Sequence, residues 1–386
     1  MQSTPRERLL QFSHVLQTVL FERLELELGP LSEKARLLVA VASMLSLSRY
    51  VAPARGWVGR PSKDRQALAT AFLAKAVYGL ETTRGMLERL QTDRQLRCLC
   101  GWNTVRQIPH ESTFSRAFAE FAASQLPQHL HAALIECSQK DRIIGHIARD
   151  STAIEAREKF PETKPGQGKR QHRPKRSKAC ERGTRLERQR KQTLAQQVAG
   201  LAQQCSIGTK KSSKGHQQYW RGYKLHLDVA DGHIPISTLL TAASVHDSQA
   251  AIPLMTMSTQ RVTYLYELMD CAYDARAIRE HSLALGHRPI TDHPKRRRKV
   301  GERKVPLRKN SRSWKRVIDT ETRAEEMTWA EQDRFVERTM VERVFSRLKD
   351  EFGARHIRVR GASKIMAHLM FGVVALTVDQ LLKLTG

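Results

Sequence analysis

The chain has 386 residues, 40% of them hydrophobic, which is enough to bury one large or two moderate cores and excludes a disordered chain. No apolar run approaches the roughly 20 residues that span a bilayer, no signal-peptide pattern opens the chain, and the six cysteines form no CxxC pair. These features point to a soluble protein of the reducing cytoplasm, with no disulfide framework, no tetrahedral zinc site and no membrane partner.

The net charge of +27 sits in two blocks. Residues 164–224 carry 17 Lys and Arg against 2 Glu, a net of +15, and residues 295–316 carry 12 against 1, a net of +11; the rest is almost neutral. Charge concentrated in this way is the footprint of a polyanion, with nucleic acid as the first candidate, and it asks for no small-molecule substrate. The basic insert (about residues 160–218) and the basic block at 295–316 supply the candidate DNA contacts Lys169, Arg170, Lys175, Arg176, Arg296, Arg297 and Arg298.

In chain order, residues 1–140 read as an all-helical domain. Apolar residues recur at helical spacing in 67–80 and 114–133, and Gly56, Gly59, Pro61 and the Ile108-Pro109 step punctuate them. Ser112 is the expected cap of the second of these helices. Such a domain serves either as packing support or as a helix-turn-helix-like DNA reader. Residues 141–386 change texture. Ile143, Ile144, Ile147 and Ala148 form a buried strand that closes on Asp150. Tyr223, Leu225, Leu227 and Val229 alternate with polar residues, and Asp231-Gly232 turns them into a second strand, a hairpin pattern. A helix opening at Asp247, a strand over 262–269 closing on Asp270, a helix over 275–285, a short strand over 288–291, and helices over 331–352 and 364–384 complete the order. That order describes a mixed α/β fold of the α+β kind, a mixed five-stranded sheet flanked by helices. In its ribonuclease-H-like version the first and fourth strands are neighbours, so Asp150 and Asp270 meet.

Two aspartates at adjacent strand ends, joined by a carboxylate from a helix, make an oxygen-rich site for Mg²⁺ or Mn²⁺. The helix candidate is Glu342, in Phe335-x2-Arg338-x3-Glu342-x6-Lys349, where Arg338 lies one turn before it and Lys349 two turns after, all on one face. Arg338 and Glu342 also satisfy the spacing of an ordinary surface ion pair. Among competing carboxylates, Asp274 and Asp247 read as helix caps and Asp228 as a solvent-facing strand residue. His226 and His246 read as structural or phosphate-contacting, and Tyr219 and Trp220 as either core or base-stacking residues.

The segment from Glu337 to Gly353 resembles the third-carboxylate region of DDE transposases from bacterial insertion sequences of families four and five, whose signature is Tyr-x2-Arg-x3-Glu-x6-Lys. Ala148-Arg149-Asp150-Ser151-Thr152 is similar to that family's first-aspartate strand, Leu268-Met269-Asp270-Cys271-Ala272 to its second, and Gly222-Tyr223-Lys224-Leu225-His226 and Val245-His246-Asp247-Ser248 to further family segments. Phe335 stands where the signature has Tyr. The resemblance implies a transposase that binds terminal inverted repeats as double-stranded DNA, self-associates as a dimer on it, and cleaves and transfers strands with two divalent ions. It implies Asp150, Asp270 and Glu342 as catalytic metal ligands and Arg338, Lys349 and Lys224 as DNA contacts, in the bacterial cytoplasm at the nucleoid. A catalytically silent transposase-derived DNA-binding protein and a ribonuclease-H-like host nuclease are the alternative readings.

Overall fold

A computed structural model describes residues 4–51, 63–158, 184–211, 216–291 and 327–385. The N-terminal region is helical, as expected. Its centre is the alanine-rich helix Arg65–Val77, buried along its length from Ala67 onward. Small side chains let neighbours approach closely, and Phe72 fills the gap by meeting Phe114, Phe118 and Phe121 of helix Glu111–Ala123 at ring separations of 4.9 to 6.2 Å. That helix starts one residue before Ser112: the His110 ring accepts the Ser112 N–H and takes the capping role.

The last helix, Ala362–Lys383, is long and apolar enough by composition to cross a bilayer, yet 78% of its most apolar window is buried inside the fold. It runs between the N-terminal helices and the sheet, with Phe371 stacked on Phe72 at 5.9 Å. One hydrophobic core therefore continues from Leu38 and Leu68 through Val373 and Leu376 to Leu225 and Ile236. The change near residue 140 is one of secondary structure, not a gap in packing.

The sheet holds the strands β1 (Ile143–Glu155), β2 (Ser206–Lys211), β3 (Gln217–Ala230), β4 (Ile234–Ala242), β5 (Thr263–Met269) and β6 (Arg288–Thr291). Its order is β2-β3-β1-β5-β6, with β4 also on β3. β1 is antiparallel to β3 and parallel to β5, and β5 is parallel to β6. The five strands β4-β3-β1-β5-β6 are those expected from the sequence, and with helices on the sheet they make a ribonuclease-H-like α+β fold. The sixth strand, β2, comes from the basic insert, for which the sequence offered no fold. It pairs with residues 217–222 of β3, while β4 pairs with residues 223–230.

Gly222 marks the handover between those two pairings. Its φ of +149° and its approach to the Ile154 carbonyl, which a Cβ would meet at 2.1 Å, admit only glycine. On the extension, the Trp220 ring lies over Gly208 and its Nε1 donates to the Tyr223 carbonyl at 3.1 Å, so Trp220 is a packing residue, whereas Tyr219 is 65% exposed.

The single helix expected over 331–352 is two helices, Trp329–Val336 and Met340–Asp350, joined by a 3₁₀ turn at Glu337–Thr339. The Thr339 hydroxyl donates to the Val336 carbonyl at 3.1 Å, a local bond that competes with the α-helical ladder. Beyond the turn, Met340, Val341, Val344, Phe345 and Leu348 form a stripe buried on β1 and β3.

Candidate active site

β1 does not end at Asp150, as the apolar run suggests, but continues to Glu155. What ends there is its pairing with β5: the last partners are Arg149 and Met269, and Asp150 and Asp270 are the next residue on each strand. Parallel neighbours lie about 4.8 Å apart, so the two aspartates stand side by side where β1 and β5 part, Asp150 still paired with Leu227 of β3. Each is anchored by a backbone amide, Asp150 Oδ1 by Ser151 N–H at 2.7 Å and Asp270 Oδ1 by Ala272 N–H at 2.9 Å.

Burial pushes the Asp150 carboxyl up to about 6. The negative charges of Asp270 and Asp247 add to this, while the Ser151 amide and Arg338 oppose it. Burial also raises Asp270, with Asp247 again adding and Arg338 and Lys210 opposing. The charges acting on the buried Tyr273 hydroxyl are first those of Asp150 and Asp247, and this hydroxyl has no hydrogen-bond partner among the described residues.

Arg338 connects this pair to the helix. Its Nη1 is 3.8 Å from Asp150 Oδ2 and its Nη2 donates to Glu342 Oε1 at 3.0 Å. The one-turn spacing read from the sequence therefore does bring Arg338 and Glu342 together, and Arg338 bridges to the first aspartate as well. Phe335, in the place of the signature's tyrosine, lies under Arg338 at 5.9 Å from ring to guanidinium and supports it through its face. Glu342 remains 55% exposed. Lys349, two turns on, donates to the Thr152 hydroxyl at 2.7 Å. Among the described residues no three Asp, Glu, His or Cys side chains converge as a metal cluster. The donor chemistry nevertheless suits a hard cation: two carboxylates stand together on neighbouring strands, their charges resisted by burial and by one another, beside an orphaned hydroxyl.

Lys224, an expected DNA contact, donates to Asp247 Oδ1 and to the Val245 carbonyl, both at 3.0 Å. Lys169, Arg170, Lys175, Arg176, Arg296, Arg297 and Arg298 lie outside the described residues. His226 is fully buried, with Nε2 against the Thr241 hydroxyl at 2.9 Å, and is structural, whereas the exposed His246 accepts the Ser248 N–H through Nδ1 at the start of helix Ser248–Arg261. Ala275, not Asp274, is the N-cap residue of helix Arg276–Ala284, and Asp274 lies 3.7 Å from Arg279.

Asp228 reverses its expected placement. It is completely buried and receives both arms of Arg149, Nε at 2.8 Å and Nη2 at 2.8 Å, while Ser258 donates to it at 2.6 Å. Arg149 Nη2 also reaches Glu267 at 3.4 Å, and Glu267 accepts from Tyr264 at 2.7 Å. Burial works against the Arg149 charge, but Asp228 and Glu267 more than offset it. The network therefore ties β1, β3 and β5 together one residue before Asp150. Alternation alone could not reveal it, because a buried charge looks like a solvent-facing one; the signal available was an arginine in an otherwise apolar strand core.

A family model described as Transposase DDE domain matches residues 142–378, and one described as Transposase domain (DUF772) matches residues 27–120. Comparison with curated proteins gives no match, and comparison with solved structures gives none either. The first span exceeds half of the chain and encloses Asp150, Asp270 and Glu342 together with both strands and the helix that carry them: this chain belongs to the DDE transposase family.

Proposed function

We propose that this transposase binds the terminal inverted repeats of an insertion sequence, cleaves at their ends, and joins the freed 3′-hydroxyl to target DNA, with Asp150, Asp270 and Glu342 as the carboxylates that hold its divalent ions. The observation that carries the reading is the emergence of Asp150 and Asp270 side by side where β1 and β5 part, with Arg338 linking Asp150 to Glu342. Two ions, Mg²⁺ or Mn²⁺, when bound there supply activation of the attacking oxygen and stabilisation of the leaving one. The remaining work falls to the chain's own groups. Asp150 and Asp270 present carboxylate oxygens fixed by backbone amides, and Arg338 and Lys349, on the Glu342 face, align the phosphate next to the scissile bond. The chain acts in the cytoplasm, at the nucleoid, as a dimer on DNA.

The test is a duplex carrying the terminal repeat that borders its gene, incubated in Mg²⁺ with a supercoiled target. Cleavage and joining are expected; cleavage without joining would reassign the chain as a nuclease, and binding without either as a silent DNA-binding protein.

Sequence-independent affinity falls to the two basic segments. Each phosphate neutralised by Lys or Arg steepens the fall of log affinity with log salt by roughly 0.9. Replacing Lys169, Arg170, Lys175 and Arg176 together by Gln is expected to flatten that slope by up to about 3.6. An unchanged slope in a salt titration of binding would remove the insert from the DNA interface.

A further inference from the structure

Asp247 stands at the residue where a helix-capping side chain belongs, in front of helix Ser248–Arg261, yet it makes no capping bond. His246 takes that role. The Asp247 carboxylate turns instead toward β1, where Oδ1 accepts from the Ser151 hydroxyl at 2.9 Å and from Lys224 Nζ at 3.0 Å. Ser151 follows Asp150, and its own amide is the one that anchors Asp150 Oδ1. Lys224 lies on β3 opposite Ala153 and is pinned a second time by the Val245 carbonyl. A single oxygen thus joins the residue after Asp150, the neighbouring strand and the loop leading into the helix.

This arrangement carries an electrostatic penalty. Asp247 adds negative charge to both Asp150 and Asp270, raising each, while its own charge is opposed by burial and favoured by Lys224 and the hydrogen bond from Ser151. A cap is easily supplied by Ser, Thr or Asn without that penalty. Carboxylates that hold metals are themselves commonly held by such outer partners, whose removal typically weakens metal affinity or activity by 10- to 100-fold.

We propose that Asp247 is a positioning residue of this site, a fourth carboxylate that orients Asp150 by holding Ser151 and clamps Lys224 beside it. The proposal rests on the reading of Asp150 and Asp270 as metal-holding groups.

The test uses the full-length chain and reads Mn²⁺ binding by electron paramagnetic resonance, with thermal unfolding as the control for folding. Asp247→Ala is expected to weaken Mn²⁺ binding by about 10- to 100-fold beyond any loss of folded protein. Asp247→Asn keeps an acceptor oxygen for Ser151 and Lys224 and is expected to recover most of the loss. Ser151→Ala removes one hydroxyl and is expected to shift binding in the same direction by a smaller factor. Wild-type Mn²⁺ binding by Ser151→Ala and Asp247→Ala would overturn the proposal. So would Asn proving as damaging as Ala, which would make Asp247 a ligand through its charge, or a loss by Asp247→Ala no larger than its loss of folded protein. Wild-type Mn²⁺ binding by Asp150→Asn would instead remove the underlying assignment of the metal-holding carboxylates.

Discussion

Asp150→Asn, Asp270→Asn and Glu342→Gln are each expected to reduce Mg²⁺-dependent cleavage by about three orders of magnitude or more, while affinity for the same DNA stays close to wild type. A metal ion contributes several kcal/mol of transition-state stabilisation, and each 1.36 kcal/mol is a factor of ten in rate. The amide variants keep shape and hydrogen-bonding oxygen but lose the charge. Affinity is expected to persist because it belongs to the basic segments, whose charge is separate from the acidic site in the sequence. Folding is expected to hold as well. Asp150 is a partly buried carboxylate raised by desolvation and by two like charges, so making it neutral removes a repulsion. Single-turnover cleavage, a binding titration and an unfolding curve on each variant check the three statements together. Glu342→Gln is the most exposing of the three: Glu342 reaches Asp150 through Arg338, so undiminished cleavage by that variant would restrict the site to the two strand aspartates.

Much of this site was legible in the sequence because it rests on short-range patterns. Strand alternation around Tyr223 and Leu225 located the hairpin. An apolar run before Asp150 and another before Asp270 located their strands, and helical spacing placed Arg338 and Glu342 together. What was not legible depends on groups far apart in the chain. Asp228 reads as a solvent residue until Arg149, 79 positions away, is seen to meet it. Asp247 reads as a cap until Ser151, 96 positions away, occupies its oxygen. That the same oxygen also accepts from Lys224 is equally out of reach of the local pattern. The break at Glu337–Thr339 was missed for another reason: it depends on one hydroxyl bonding back to Val336, a choice that helical periodicity does not encode. Buried polar groups must be partnered, but the sequence does not say by whom.

The buried network gives the largest expected effect on stability. Arg149→Met is expected to destabilise the fold by about 3–5 kcal/mol, because it leaves Asp228 and Glu267 facing each other without a counter-charge in a region where both are fully buried. Arg149→Lys is expected to recover little, since the two parallel bonds from Nε and Nη2 to the two oxygens of Asp228 require the planar fork of a guanidinium. Replacing the set together, with Arg149→Met, Asp228→Leu and Glu267→Leu, is expected to return much of the lost stability, because the cost arises from unpaired charge and not from lost attraction. The triple variant is nevertheless expected to cleave poorly. The Arg149 bonds fix β1 against β3 and β5 at the residue before Asp150, and a shift of about 1 Å in a catalytic group costs on the order of 100-fold in rate. Urea unfolding of the single and triple variants, with cleavage measured on the triple, separates the two roles. A single variant destabilised by less than about 1 kcal/mol would mean the charges are not buried in solution as they are here, and a triple variant with full activity would mean the network stabilises the sheet without aligning Asp150.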